Sequence, residues 1–104
     1  MLKKKLVSRR PAKKKVSPLP IAPNGMFFWV NNGPALRNLL DLSKFFAIIT
    51  AEQFHYHTRR DGNDFAKWMG TVLGDKTCAR ALEASKTITA AQKAVTQALK
   101  RYDV

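Results

Sequence analysis

The chain is short of cysteine, of acidic side chains and of long apolar runs, and each shortage excludes something. Its single cysteine, Cys78, cannot close an intrachain disulfide, so nothing calls for an oxidising compartment. No wholly apolar run is longer than the one at residues 45–49, far below the roughly 20 residues that a membrane-crossing helix needs. Lys3, Lys4 and Lys5 imitate the charged start of an export signal, but Leu6-Val7-Ser8-Arg9-Arg10-Pro11 follows in place of an apolar stretch. Leu2 gives no myristoylation site. No targeting segment or lipid anchor is therefore expected, and the expected setting is cytoplasmic. At 104 residues there is room for one domain with a modest core and none for a large substrate cleft.

What abounds is positive charge. Nineteen Lys and Arg stand against seven acids, a formal net charge of +12, and residues 1–25 hold eight of the cations and no acid. Such a surface selects phosphate, in nucleic acid or in anionic lipid headgroups. Lys3, Lys4, Lys5, Arg9, Arg10, Lys13, Lys14 and Lys15 form three clusters, followed by the Pro-spaced segment Ser17-Pro18-Leu19-Pro20-Ile21-Ala22-Pro23. The clusters repel one another and the prolines favour an extended path. Residues 1–25 thus read as a flexible basic arm, and residues 26–104 as the folded domain.

The domain opens with Met26-Phe27-Phe28-Trp29-Val30, a β-prone run closed by the turn signal Asn31-Asn32-Gly33. No second strand is evident, so one extended piece laid against helices is expected. An exposed Phe27 and Trp29 would offer faces for base stacking. A chain this short needs its aromatics for burial, however, and both are expected inside. Pro34 suits a helix first turn, and Leu36, Leu39, Leu40, Leu42, Phe46 and Ile49 form an apolar stripe, predicting a core helix over 35–49.

Thr50-Ala51-Glu52-Gln53 has the form of a capping box and starts a second short helix running through Phe54 toward His57. Thr58-Arg59-Arg60-Asp61-Gly62 has no apolar residue and reads as a surface loop. Asn63 then caps a helix whose Phe65, Trp68, Met69, Val72 and Leu73 share one face. Gly74 stops it, and Asp75 caps another from Lys76 to about Ala84 with Cys78, Ala81 and Leu82 inward. Thr89-Ala90-Ala91-Gln92 repeats the capping-box form and predicts a last helix to about Tyr102. Lys86, Lys93 and Lys100 recur every seven residues as a cationic stripe beside Arg101. The expected fold is mainly α: a small bundle of four or five short helices with a short N-terminal extended segment and a disordered basic arm.

Phe28-Trp29-Val30, Gly33, Leu36 with Leu39, Phe54 with His57, Asn63-Asp64-Phe65-Ala66-Lys67-Trp68 and Val72-Leu73-Gly74-Asp75 together resemble a family of small prokaryotic domains of unknown function. Those sequences run aromatic-Trp-Val, a Gly turn, L-x-x-L, F-x-x-H, five residues, N-D-F-A-x-W and V-L-G-D. This chain has Cys78-Ala79 where the family usually has Leu-Ala. The resemblance covers residues 27–99 and leaves out the arm. It implies a compact, mostly helical module often joined to other segments, and it supplies no activity.

His57 and Asp64 are the one pair that invites a catalytic reading. No Ser or Cys nucleophile stands in a matching signature and there is no Gly-rich phosphate loop, so no catalytic residue is assigned. His57 reads instead as a helix-end imidazole bonding to the Asn63-Asp64 turn and fixing the angle between two helices. His55 and His57 fall on different helix faces with only Cys78 to join them, so neither a metal site nor a cofactor is expected. Cys78 reads as a small buried residue. The function expected is non-enzymatic nucleic-acid binding, nucleoid- or ribosome-associated, without strong sequence preference. The eight arm cations would neutralise phosphates of DNA or ribosomal RNA, with Arg59, Arg60, Lys93, Lys100 and Arg101 as second-rank contacts. Two other classes fit the same residues: a protein-protein interaction module with a basic linker, and a peripheral protein on anionic membranes.

Overall fold

The computed structural model describes residues 17–59 and 62–103. Lys3, Lys4, Lys5, Arg9, Arg10, Lys13, Lys14, Lys15 and Arg60 lie outside the described residues. Along the chain run β1 (Ser17–Pro18), β2 (Phe28–Trp29), β3 (Ala35–Leu36), α1 (Leu39–Phe46), α2 (Ala51–Thr58), α3 (Asp64–Thr71), α4 (Lys76–Ala84), α5 (Ile88–Leu99) and β4 (Tyr102–Asp103). The fold is mainly helical, as expected, with short two-residue strands. No helix among the described residues is long and apolar enough to cross a membrane.

Several helix boundaries follow from side chains that replace the missing intrahelical acceptor of the first turn. Thr50 accepts the Gln53 N–H while the Gln53 side chain accepts the Thr50 N–H, a complete capping box for α2. Asn63 accepts the Ala66 N–H at 3.0 Å, and its amide also donates to the Leu82 carbonyl, so one buried residue caps α3 and ties it to α4. Gly74 takes φ +78, where a side chain is strained, and lets Asp75 cap α4 through the Cys78 N–H at 2.9 Å.

Elsewhere the structure departs from expectation. The aromatic run is not a lone extended piece. β2 pairs antiparallel with β3, Phe28 opposite Leu36 and Trp29 opposite Ala35, around a turn in which Asn32 adopts φ 56. The core helix therefore does not begin at residue 35. Leu36 is drawn into the hairpin, Asn38 caps α1 by accepting the Asp41 N–H at 2.8 Å, and the helix ends at Phe46. The last helix is capped by Thr87, not Thr89, which makes Ile88 its first residue and turns Ala91, Val95 and Ala98 inward. It stops at Leu99, because Tyr102 leaves the helix to pair with Ser17 in a parallel two-stranded sheet. Ala81 is exposed; α4 buries Cys78 and Leu82 alone.

The packed part of the chain also begins earlier than residue 26. Ser17 donates to the Arg101 carbonyl at 3.2 Å, Ile21 bridges to Asn38, and Ala22 is buried with its N–H on the Arg37 carbonyl. The prolines do give an extended path, and that path is laid on the domain.

The core sits where α1, α2, α3 and the hairpin meet. Phe65 is wholly buried, with the ring of Phe28 stacked at 4.8 Å and that of Phe46 edge-on at 5.1 Å. α4 packs on α3 and α5, and α5 on α1, so Leu82 and Val95 extend the same core under the last two helices.

Candidate nucleic-acid interface

Hydrogen bonds from α2 and α3 converge on the hairpin. His57 is buried at the end of α2, and its Nε2 accepts the Asn31 N–H at 3.0 Å. With Nε2 occupied as an acceptor, the ring proton belongs on Nδ1, which donates to Asp64 Oδ2 at 3.0 Å. The expected bond to the Asn63-Asp64 turn is present, and the second contact reaches further than expected. His57 joins α2 to α3 and also to the hairpin. One turn earlier Gln53 Nε2 donates to the carbonyls of Asn31 and Asn32, and a side chain at Gly33 would meet Val30 at 2.8 Å. Trp68 Nε1 donates to the Met26 carbonyl at 2.8 Å. Phe28 packs beneath, among His57, Phe65 and Trp68. The outcome for the aromatics is split: Phe27 rests half-buried on the core, whereas Trp29 is 70% exposed and not inside as expected.

Of the cations of the described residues, Arg37 and Lys44 lie by α1 and Lys67 in α3, while Arg59, Lys86, Lys93, Lys100 and Arg101 border two hollows by α4 and α5. α4 and α5 enclose a groove of about 920 Å³ whose walls carry Thr77, Ala81, Ala84, Ala90, Ala94 and Gln97 and whose rim carries Lys93, Lys100 and Arg101. A smaller hollow of about 360 Å³ holds Arg59 and Lys86 beside Glu83, and Ser85 lines both. The seven-residue recurrence of lysines thus does not make one helix face. Lys86 precedes α5 and joins Arg59, while Lys93 and Lys100 border the groove. Small residues at 81 and 84 and at 90 and 94 were the available signal for the groove, but only the pairing of two helices turns them into a surface.

Arg101 has a different occupation. Its guanidinium sits 3.1 Å from Asp75 Oδ2, its side chain 46% exposed, and it lies over the Tyr102 ring. Asp75 is buried and also accepts the Tyr102 hydroxyl at 2.6 Å. Burial alone would raise the Asp75 carboxyl, but the Tyr102 hydroxyl, the Cys78 N–H and the Arg101 charge outweigh it and hold the group below the usual carboxylate value. The same contacts act oppositely on their neighbours. Burial, then the bond to Asp75 and its charge, pushes Tyr102 from 10.0 to about 12. Burial and the Asp75 charge raise the Cys78 thiol from 9.0 to about 12, which leaves it unreactive.

A raised acid favours the protonated, folded form, so this contribution is whole below the ordinary values near 9 and 10. It is lost as pH climbs toward 12, where the unfolded chain has released protons that the folded chain still holds. Denaturant unfolding followed from pH 8 to 12 is expected to show falling stability, and Tyr102→Phe should flatten that decline while weakening the neutral-pH protein.

Among the described residues no group of three or more His, Cys, Asp and Glu is arranged to hold a metal ion. No family model, curated protein or solved structure matches the chain. The functional reading therefore rests on the geometry above.

Proposed function

We propose that the protein binds nucleic acid, without catalysis, through phosphate contacts from the eight cations of residues 1–15, and that the domain extends this contact. The observation that carries the proposal is the junction at Ser17, whose N–H donates to the Arg101 carbonyl. The cation-bearing segment thereby joins the domain where Lys100 and Arg101 follow α5. From there Lys93 borders the α4–α5 groove, and Lys86 and Arg59 lie in the hollow that shares Ser85 with it. Among the described residues Glu83 is the one acid that lines either surface. A polyanion following this belt gains free energy mainly by releasing counterions, a gain that does not depend on base sequence. DNA and ribosomal RNA offer the same phosphates, which fits a nucleoid- or ribosome-associated role.

If six to eight cations contact duplex phosphates, a plot of log K against log salt has a slope of about −5 to −7. Replacing Lys3, Lys4, Lys5, Lys13, Lys14 and Lys15 by Gln in the full chain should shrink that slope by about one unit per lost contact. An intact chain with a slope near zero would remove the proposal. The α4–α5 groove favours a second reading, in which an apolar helix of a partner protein seats between α4 and α5 and the basic segment serves as a linker. In that case the glutamine variant would capture its partner as well as the parent does.

A further inference from the structure

The hairpin is tied down far more firmly than two strands of two residues need, and it displays a tryptophan to solvent. Trp68 and Gln53 donate to its carbonyls at Met26, Asn31 and Asn32 and His57 accepts its Asn31 N–H, while Phe28 is locked beneath. Alternation along β2 sends Phe28 inward and Trp29 outward, opposite Ala35. With the backbone held, only the two side-chain torsions of Trp29 remain to be ordered when a ligand covers the indole, so the strand is pre-organised for stacking.

The chain's net charge of +12 narrows the choice of ligand. The first acid in the chain is Asp41, and it is engaged by Arg37 at 3.0 Å. The arm, its root and the whole hairpin lie in a stretch of forty residues whose sequence holds no acid, and the acid that the fold brings beneath the turn, Asp64, is engaged by His57. The described residues of the root lead from Ser17 toward the hairpin. From Ser17, beside Arg101, four extended residues lead to Ile21 at Asn38, about 13 Å at roughly 3.3 Å per residue. β3, the partner of Trp29's strand, ends just before Asn38. A second copy of so cationic a chain is a poor occupant of this face, and a polyanion is a good one.

We infer that Trp29 stacks on an unpaired base, so that the nucleic acid engaged is preferentially single-stranded. The inference rests on the nucleic-acid reading and adds to it. Bases in a duplex are already stacked on each other and expose no face to an indole, whereas a single strand does. Phosphate contacts alone do not create that distinction.

The test compares the full chain with Trp29→Ala and Trp29→Phe, binding a fluorescein-labelled oligothymidylate and a duplex of equal length at one salt concentration. The parent should favour the single strand. Trp29→Ala should weaken single-strand binding by about 5- to 150-fold, the effect of losing one stacked base. It should leave duplex binding unchanged, and Trp29→Phe should recover most of the loss. Because Trp29 is exposed, both variants should unfold at the parent's temperature. Equal parental affinity for the two forms, or an unchanged single-strand affinity in Trp29→Ala, overturns the inference while the phosphate reading stands. Binding to neither form overturns the phosphate reading and this inference with it.

Discussion

Replacing Asp75 by alanine is expected to cost about 3–5 kcal/mol of folding stability, because three kinds of interaction end on one carboxylate. Its Oδ1 caps α4 through the Cys78 N–H, and loss of such a cap costs about 1 kcal/mol. Its Oδ2 accepts the Tyr102 hydroxyl at 2.6 Å, a bond to a charged group, which contributes about 1.5–3 kcal/mol. The Arg101 pair adds less, about 1 kcal/mol at most, since that guanidinium is half in water. Together these hold the end of the chain against α4, and through β4 they hold β1 at the root of the arm.

Asp75→Asn keeps the cap and loses the charge, so its loss should be smaller. The sign in acid follows from the lowered carboxyl. The contribution is whole above the unfolded value of about 3.9 and disappears as pH falls through the lower folded value. The alanine variant should accordingly lose less stability than its parent on acidification. Urea unfolding monitored by circular dichroism measures all of this, and a loss below about 1 kcal/mol for Asp75→Ala would mean that the three interactions do not act at one point.

Asp75 was also among the residues legible from sequence, and the reason is locality. Thr50 with Gln53, Asn63 with Ala66, and Asp75 with Cys78 are bonds across three residues, decided by the chemistry of one turn. Partners of the hairpin are not local: Gln53 lies 22 residues from Asn31, His57 lies 26 from it, and Trp68 lies 42 from Met26. No periodicity announces such contacts. Nor does a run of five apolar residues carry a phase, so the outward turn of Trp29 was fixed only when Phe28 found its place among His57, Phe65 and Trp68.

The choice of Thr87 over Thr89 is of the same kind. Both offer a capping hydroxyl, and packing of Ile88, Ala91 and Val95 against the core decides between them. The cationic belt was half visible. Lysine spacing marked Lys93 and Lys100, but the capture of Arg101 by Asp75 and the grouping of Lys86 with Arg59 required the fold.

Replacing Phe65 by alanine is expected to cost at least as much as replacing Asp75 and to disturb the hairpin at a distance. Phe65 is 0% exposed, and the rings of Phe28, Phe46, Phe54 and His57 all surround it. Truncating a buried phenylalanine costs about 3–5 kcal/mol, from lost transfer free energy and the cavity left behind. Its aromatic pairs place this site toward the upper end. A domain of this size has roughly 5–15 kcal/mol in total, so the variant should unfold at a markedly lower temperature than its parent, and Phe65→Leu should retain more.

The effect should also be visible before global unfolding. Phe28 loses its stacked neighbour, so the strand bearing Trp29 loosens, and the Asn31 N–H that His57 accepts should exchange with solvent faster than amides at the α4–α5 contact. If Phe65→Ala accelerates exchange evenly across the molecule, the hairpin is not held from the core as described. The strand bearing Trp29 would then be held by its bonds to Gln53, His57 and Trp68 and not by the ring stack.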